Sequence, residues 1–284
     1  MTQQMLISAQ DLLAAQKNRT CVVVDCRFAL SDPAAGYRKY LEAHIPGAVY
    51  AHLDDDLSSP VTSSSGRHPL PGADRFAAFL ARSGWQPGDR LVAYDDAGGA
   101  IAARLWWLMK YFGHDCAALL DGGFPAWQSA AYELESGPVK AIGTTLVSFS
   151  AINDFVVSTE DILERLGRSD TVLVDVRASE RFRGEIEPID NVAGHIPGSV
   201  NYPLQQSISE SGGFKPAQDI RQGLLTLQGD HTAKDVIYMC GSGVTACHTI
   251  FAAELAGLQG AKLYPGSWSE WIRDPSRPIE PKTG

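Results

Sequence analysis

The sequence predicts an α/β fold made of two tandem domains, each an open, mainly parallel sheet covered by helices on both faces. Three observations support this. The chain has 284 residues, about twice the ~150 residues of a typical domain. Short apolar runs rich in valine alternate with helical patterns, an order typical of parallel sheets. Finally, segments of the first half recur in the second, which indicates a duplicated unit.

The repeat consists of four matching segments in the same order. They are 21–27 with 171–177, 43–50 with 194–201, 90–108 with 235–253, and 122–127 with 266–271. The first pair, CVVVDCR and TVLVDVR, ends in Asp-x-Arg, and the second shares the turn H-I-P-G. The third pair combines an apolar run, a glycine-rich loop and an amphipathic stretch. Four ordered matches favour duplication over chance similarity of one motif.

The elements of each half follow from these patterns. In the first half they are a strand at VVVD (22–25), a helix at GADRFAAFLARSG (72–84), a strand at LVAY (91–94) and a helix at AIAARLWWLMKYFG (100–113). The second half repeats this order and reaches the strand DVIYM and the helix TACHTIFAAELAGL. Gly, Ser, Thr and Pro collect between the halves. We therefore predict one domain at 1–136, a linker at 137–154 and a second domain at 155–284.

The composition and the charge of the chain exclude several classes of function. Lys and Arg number 24 against 33 Asp and Glu, a net charge of −9, which argues against nucleic acid as a partner. The amino terminus lacks a signal-peptide pattern, and no stretch reaches the ~18 apolar residues of a membrane span. The five cysteines are odd in number and lack a C-x-x-C pair, which predicts free thiols in a reducing cytoplasm. We expect no membrane partner, no metal and no cofactor.

The loop C-G-S-G-V-T-A (240–246) carries the clearest chemical signal. Ligands of parallel α/β sheets bind where a strand passes through a loop into a helix. Cys240 stands at that point in the second half, and Asp96 is aligned with it in the first. Gly241 and Gly243 permit positive φ, so that backbone N–H groups can surround an anion, and the following helix amino terminus favours a thiolate.

Two kinds of chemistry suit a thiolate among backbone amides. Phosphate-ester cleavage of the tyrosine-phosphatase type needs an arginine six residues after the cysteine to hold the phosphoryl oxygens. This chain has Ala246 there. Sulfur transfer through a persulfide of Cys240 is therefore the favoured chemistry.

The D-x-R and H-I-P-G repeats, D-G-G-x-x-x-W, P-G-S-W-x-E-W and C-G-S-G-V-T-A together resemble a tandem-domain rhodanese over nearly the whole chain. The cysteine loop is similar to that of mercaptopyruvate sulfurtransferases. The resemblance implies that Cys240 takes sulfur from mercaptopyruvate, releases pyruvate, and passes the sulfur to cyanide, a small thiol or thioredoxin. It also implies a non-catalytic amino-terminal half. The uncharged loop residues fit a singly charged keto acid; they are Gly241, Ser242, Gly243, Val244 and Thr245.

The resemblance also implies roles for residues outside the loop. Arg181 lies in the R-F-x-G element, whose first arginine binds the substrate carboxylate, and Arg183 is its neighbour. A guanidinium can hold a carboxylate with two parallel hydrogen bonds. His68, with Asp54 and Ser242, is expected to relay a proton to the leaving enolate.

The chain departs from the family pattern at one position. A second substrate arginine is expected in an E-P-R segment, where this chain reads Glu187-Pro188-Ile189. Arg183 or a residue of the amino-terminal half would have to compensate. Two alternatives stay open: thiosulfate as the sulfur donor, and a persulfide relay or protein-binding module with little turnover of its own.

The Asp-x-Arg pairs, Asp25–Arg27 and Asp175–Arg177, occur in both halves although only one half carries the cysteine. We therefore predict a structural role for them. Cys247 falls about two helical turns after Cys240, and we expect it in the core.

Overall fold

A computed structural model describes residues 4–18, 20–140, 143–145 and 148–280. The chain divides into two compact units. Unit 1 comprises Met1–Ser59, Leu70–Ile152 and Glu210–Phe214, and unit 2 comprises Pro60–Pro69, Asn153–Ser209 and Lys215–Gly284. The main passage between them, after Ile152, falls inside the segment 137–154 where the sequence predicts a linker. Each unit also includes a short segment from the other half of the sequence, which the sequence did not predict.

Unit 1 contains a five-stranded parallel sheet in the order β1-β5-β4-β2-β3. Its strands are β1 (Leu6–Ile7), β2 (Cys21–Asp25), β3 (Val49–Tyr50), β4 (Arg90–Tyr94) and β5 (Ala117–Leu120). Its helices are α1 (Ala9–Lys17), α2 (Ala35–Glu42), α3 (Ala73–Arg82), α4 (Ala102–Tyr111) and α5 (Gly123–Ser129). Every residue of β5 is buried. Because strand side chains alternate between faces, this burial means that both faces of the sheet are covered.

Unit 2 contains a four-stranded parallel sheet in the order β7-β6-β8-β9. Its strands are β6 (Val172–Asp175), β7 (Val200–Asn201), β8 (Val236–Met239) and β9 (Lys262–Leu263). Its helices are α6 (Thr159–Arg165), α7 (Ser179–Phe182), α8 (Ala217–Gln228), α9 (Thr245–Leu255) and α10 (Ser267–Trp271). β8 is buried throughout. The predicted α/β fold with two parallel sheets is thus confirmed.

The Asp-x-Arg pairs form the same buried contacts in both units. The Arg27 guanidinium donates to the Asp25 carboxylate with a shortest distance of 2.6 Å and to the Ala43 carbonyl at 2.7 Å. Arg177 donates to Asp175 at 2.6 Å and to the Gly194 carbonyl at 2.8 Å. These arginines tie the end of a strand to the segment before the Pro-Gly turn, which supports a structural role for both pairs.

The strand register corrects the alignment of the two loops. Asp25 lies opposite Tyr94, whereas Asp175 lies opposite Met239. The residue after Tyr94 is Asp95, so Asp95 and not Asp96 is the counterpart of Cys240. The prediction was wrong by one residue because the loop between β4 and α4 (95–101) is longer than the loop between β8 and α9 (240–244), and its glycines are shifted.

A matching hydrogen bond supports this corrected register. The Phe124 N–H donates to the Asp95 carbonyl, as the Trp268 N–H donates to the Cys240 carbonyl. Asp96 instead forms an ion pair with Lys39 at 2.6 Å, in which both side chains are partly exposed.

Candidate active site

Cys240 directly follows β8, and the loop that it opens leads into α9. The residue is buried, with 2% of its surface exposed. Its N–H donates to Ser267 Oγ at 3.1 Å, and its carbonyl accepts from the Trp268 N–H at 3.1 Å. Ser267 adopts a φ of +53°, which is uncommon for a residue with a side chain. The first residues of α10 thereby fix the position of the Cys240 backbone.

The Cys240 sulfur faces backbone amides. The Gly243 N–H donates to Sγ at 3.2 Å. The N–H groups of Gly241, Ser242, Val244 and Thr245 have no hydrogen-bond acceptor within the described part of the chain. Buried N–H groups without acceptors are costly, and the amino terminus of α9 adds a partial positive charge. The loop is therefore suited to a sulfur anion, either a thiolate or a persulfide.

The two loop glycines serve different purposes. Gly243 has a φ of +76°, and a Cβ there would lie 2.3 Å from the Pro265 carbonyl oxygen. Gly241 is not among the described glycines with positive φ, so it does not use the conformation that its residue type permits. A Cβ on Gly241 would lie 3.3 Å from Arg67 Nη2 and 3.7 Å from Arg181 Nη1 and Nη2. Gly241 thus lets two guanidiniums approach the loop.

Burial disfavours the thiolate form of three other cysteines, and the fourth lies in the core. Burial raises the pKa of the Cys26 thiol well above its ordinary value, and nearby carboxylates such as Asp25 add to that rise. Burial also raises the pKa values of Cys21 and Cys116. Cys247 is fully buried in α9 and donates to the Gly243 carbonyl at 3.3 Å, a core position as expected.

His68 and Ser242, which the sequence predicts to act together, are in contact. His68 Nδ1 lies 2.7 Å from Ser242 Oγ, and both residues are buried. His68 reaches this position because segment 60–69 belongs to unit 2. Asp54 belongs to unit 1, where its N–H donates to His52 Nδ1 at 3.2 Å. The role of Asp54 in a proton relay stays a prediction.

Arg181 lies close to the loop but is already paired with acidic side chains. Its Nη2 lies 2.8 Å from Glu187 Oε1 and 3.0 Å from Asp190 Oδ2. Its Nη1 donates no hydrogen bond to any residue that the structure describes. Arg183 pairs with Glu185 at 2.9 Å, and its side chain is 43% exposed. A role for Arg183 in substrate binding stays a prediction.

Arg67 is the site residue that sequence reasoning missed. Its Nη1 lies 2.6 Å from Asp190 Oδ1, and its side chain is 26% exposed. It completes a ladder of alternating charges in which each neighbouring pair is within 3.4 Å. In order, the ladder is Asp175, Arg177, Glu187, Arg181, Asp190 and Arg67. Two sequence features could have indicated Arg67. It directly precedes His68, and the arginine that the family pattern expects at position 189 is replaced by isoleucine.

In the corresponding loop of unit 1, the Asp95 side chain accepts hydrogen bonds from the amides of that same loop. Asp95 is fully buried. Its carboxylate accepts four hydrogen bonds of 2.8 Å, from the N–H groups of Ala97, Gly99, Ile101 and Ala102. A carboxylate thus occupies four amides of this loop, at the position where the other unit carries the Cys240 thiol.

The described residues contain no group of three or more His, Cys, Asp or Glu side chains that could hold a metal ion. None of their helices combines the length and the apolar character needed to cross a membrane.

Comparison with known proteins gives a consistent result. The family model described as the Rhodanese-like domain matches residues 8–130 and 158–274. The "Probable 3-mercaptopyruvate sulfurtransferase" of Pseudomonas aeruginosa is 42% identical over 281 residues, covering 98% of this chain and 99% of that protein. The "Putative thiosulfate sulfurtransferase SseB" of Mycobacterium tuberculosis is 38% identical over 281 residues, covering 97% and 96%. The solved structure of 3-mercaptopyruvate sulfurtransferase from Leishmania major has a TM-score of 0.83 at 29% identity, covering 94% of this chain and 74% of that one.

Proposed function

The chain belongs to the rhodanese-like family and contains two such domains. From this premise we propose that it is a sulfurtransferase whose sulfur donor is 3-mercaptopyruvate. The observation that carries the proposal is the buried Cys240 sulfur, which accepts the Gly243 N–H in the loop that leads into the amino terminus of α9. The full-length similarity to a protein named as a 3-mercaptopyruvate sulfurtransferase supports the choice of donor.

In the first half-reaction the Cys240 thiolate attacks the thiol sulfur of mercaptopyruvate. A bond forms between the two sulfurs, and the carbon–sulfur bond breaks with its electron pair passing to the enolate of pyruvate. The product on the protein is a persulfide. Loop amides stabilise its negative charge, because they are preorganised donors in a site that largely excludes water.

The enolate must gain a proton to leave as pyruvate. Ser242 and His68, 2.7 Å apart, are suited to carry the proton that the substrate thiol gives up to the enolate carbon. An imidazole titrates near neutral pH and can both accept and donate a proton. For Asp54 we propose the role that the family resemblance implies, which is to orient the imidazole.

In the second half-reaction a nucleophile attacks the outer sulfur of the persulfide and releases the Cys240 thiolate. Cyanide, a small thiol and the dithiol protein thioredoxin are the acceptors that we propose. All five cysteines are free, which supports a reducing compartment such as the cytoplasm. No cofactor is needed, because the sulfur atom moves between nucleophiles without a separate electron carrier.

Thiosulfate is the second candidate donor. The observation in its favour is the full-length similarity to a protein named as a thiosulfate sulfurtransferase, together with Ile189 in place of an expected arginine. Against it stands the loop itself, which carries no basic side chain to meet a dianion.

Steady-state kinetics with each donor test the proposal. We expect kcat/KM to be at least tenfold higher for mercaptopyruvate than for thiosulfate, with cyanide as the common acceptor. Cys240→Ser should abolish turnover with both donors, because the thiolate is the attacking group. A clear preference for thiosulfate would assign the second candidate, and full turnover by Cys240→Ser would overturn the mechanism.

A further inference from the structure

The position of His68 depends on non-covalent contacts. Segment 60–69 belongs to unit 2, whereas the residues on either side of it in the sequence belong to unit 1. The segment therefore has no covalent neighbour in the unit where it lies, and hydrogen bonds and packing must hold it there. Because His68 Nδ1 lies 2.7 Å from Ser242 Oγ, the same contacts decide whether the imidazole reaches the serine hydroxyl.

Two hydrogen bonds tie the backbone just before His68 to α10. The Arg67 N–H donates to Ser269 Oγ at 2.9 Å. The Gly66 N–H donates to Glu270 Oε2 at 3.1 Å. Two consecutive N–H groups of the segment thus have their acceptors on two consecutive residues of the helix, so the backbone that leads into His68 has a defined register against α10.

Close packing supports this register. A Cβ on Gly66 would lie 2.6 Å from the Gly266 carbonyl oxygen and 3.0 Å from Ser269 Oγ. Gly66 is not among the described glycines with positive φ, so it is the lack of space, and not the backbone conformation, that requires a glycine here. Arg273, two residues beyond α10, adds a hydrogen bond from its Nε to the Ser65 carbonyl at 3.2 Å.

The Glu270 carboxylate is itself held in one orientation. Thr159 Oγ1 donates to Glu270 Oε1 at 2.6 Å, and the Tyr264 hydroxyl lies 2.7 Å from Thr159 Oγ1. Thr159 and Tyr264 are both buried. Since the one hydroxyl proton of Thr159 goes to the carboxylate, the Tyr264 hydroxyl donates to Thr159. Both oxygens of Glu270 therefore have donors, which fixes the acceptor that Gly66 uses.

Ser269 connects the segment to the cysteine loop. Its N–H donates to the Gly241 carbonyl at 2.8 Å, and its Oγ accepts from Arg67. Gly241 directly follows Cys240 in the sequence. One buried residue of α10 thus contacts the nucleophile's loop through its backbone and the segment of His68 through its side chain.

We propose that Ser269 and Glu270 are positioning residues that hold segment 60–69 against the cysteine loop and thereby place His68 for proton transfer. The inference rests on the proposed function. In the first half-reaction the carbon–sulfur bond of mercaptopyruvate breaks, and the enolate carbon takes up the proton that the substrate thiol gave up. In the second, cyanide attacks the outer sulfur and the Cys240 thiolate leaves, with no proton transfer to carbon. Only the first half-reaction depends on His68.

Single-turnover measurements separate the two half-reactions. Glu270→Ala removes the acceptor of the Gly66 N–H, and Ser269→Ala removes that of Arg67 but keeps the N–H that contacts Gly241. We expect both variants to form the persulfide from mercaptopyruvate about 10–100-fold more slowly, because a displacement of about 1 Å can cost about 100-fold in rate. The rate at which cyanide discharges the completed persulfide should stay within about twofold of the wild type. Rapid mixing, acid quenching and intact-mass spectrometry follow both steps.

Two further pairs of variants sharpen the test. Glu270→Gln keeps the side-chain length and one carbonyl acceptor, so it should recover most of the rate of persulfide formation. Gly66→Ala should slow persulfide formation as Glu270→Ala does, since its Cβ meets a backbone oxygen. Gly72→Ala is the matched control, because no described atom lies within 4 Å of its Cβ position. Its two rates should equal those of the wild type.

The NMR signals of the imidazole nitrogens report the placement of His68 without any substrate. The His68 signals should shift in Ser269→Ala and stay unchanged in Gly72→Ala. Equal slowing of both half-reactions, an unchanged rate of persulfide formation, or unchanged His68 signals in Ser269→Ala would overturn the proposal. Should Glu270→Ala fail to fold, Ser269→Ala decides by the same ratio of rates. If the wild type forms no persulfide from mercaptopyruvate, the proposed function fails, while the His68 signals still decide the positioning.

Discussion

Gly243→Ala is the substitution that most sharply tests the geometry of the cysteine loop. Gly243 provides the N–H that contacts Cys240 Sγ, and it does so with a φ of +76°. An alanine Cβ would lie 2.3 Å from the Pro265 carbonyl oxygen and 2.9 Å from the Pro265 Cα. Both are backbone atoms, which a side-chain rotation cannot move away. The loop must therefore shift, and with it the N–H that faces the sulfur.

The expected cost has two parts that a matched variant separates. A non-glycine residue in the left-handed region costs about 1–2 kcal/mol, and a forced overlap in a packed region adds about 1–3 kcal/mol. Gly198 has the same φ of +76°, but no described atom lies within 4 Å of its Cβ position. Gly198→Ala should therefore lower the free energy of unfolding by only the first part, and Gly243→Ala by the sum, about 2–5 kcal/mol.

Urea unfolding followed by fluorescence gives the free energies, and cyanide turnover gives the activity. We expect Gly198→Ala to retain most of its kcat and Gly243→Ala to lose at least tenfold, because the sulfur loses a positioned donor. If Gly243→Ala were as stable and as active as Gly198→Ala, the loop geometry described above would be refuted.

Three further predictions concern stability and support of the loop. Asp95→Ala should lower the free energy of unfolding by about 3 kcal/mol or more, since four N–H groups lose their acceptor; urea unfolding measures this, and a change below about 1 kcal/mol would contradict it. Ser267→Ala leaves the buried Cys240 N–H without an acceptor and should cost about 1–3 kcal/mol and lower kcat; unchanged kinetics would show that Ser267 does not position the cysteine. Burial lowers the pKa of His114, so the unfolded state binds its proton more readily and stability falls as the pH drops below about 6.5. His114→Phe should flatten this dependence in urea midpoints at pH 5 and pH 8, and an identical slope would refute the assignment.

Much of the fold followed from the sequence because its signals are local. Apolar runs that end in Asp-x-Arg, and their recurrence after 150 residues, predict parallel strands in two copies. The site was partly predictable for the same reason. A cysteine between a strand and a helix, in a glycine-rich loop, marks Cys240 without knowledge of its neighbours, and the resemblance predicted that His68 would meet Ser242.

What the sequence did not predict depends on contacts between distant segments. Nothing local to residues 60–69 indicates that they belong to unit 2, and the ion pair of Arg67 with Asp190 follows from that placement. An alignment of Tyr94 with Tyr238 places Asp96 opposite Cys240, which is one residue away from the strand register. Only the strand register, which fixes Asp95, resolves such a shift.

The persulfide on Cys240 is the central intermediate, and intact-mass spectrometry detects it directly. The reduced wild-type protein and Cys240→Ser would be exposed briefly to mercaptopyruvate without an acceptor, desalted and weighed. We expect the wild type to gain about 32 Da, the mass of one sulfur atom, and to lose it again when cyanide is added, while Cys240→Ser gains nothing. A wild type that gains no sulfur, or a Cys240→Ser protein that gains as much as the wild type, would contradict the proposed role of Cys240.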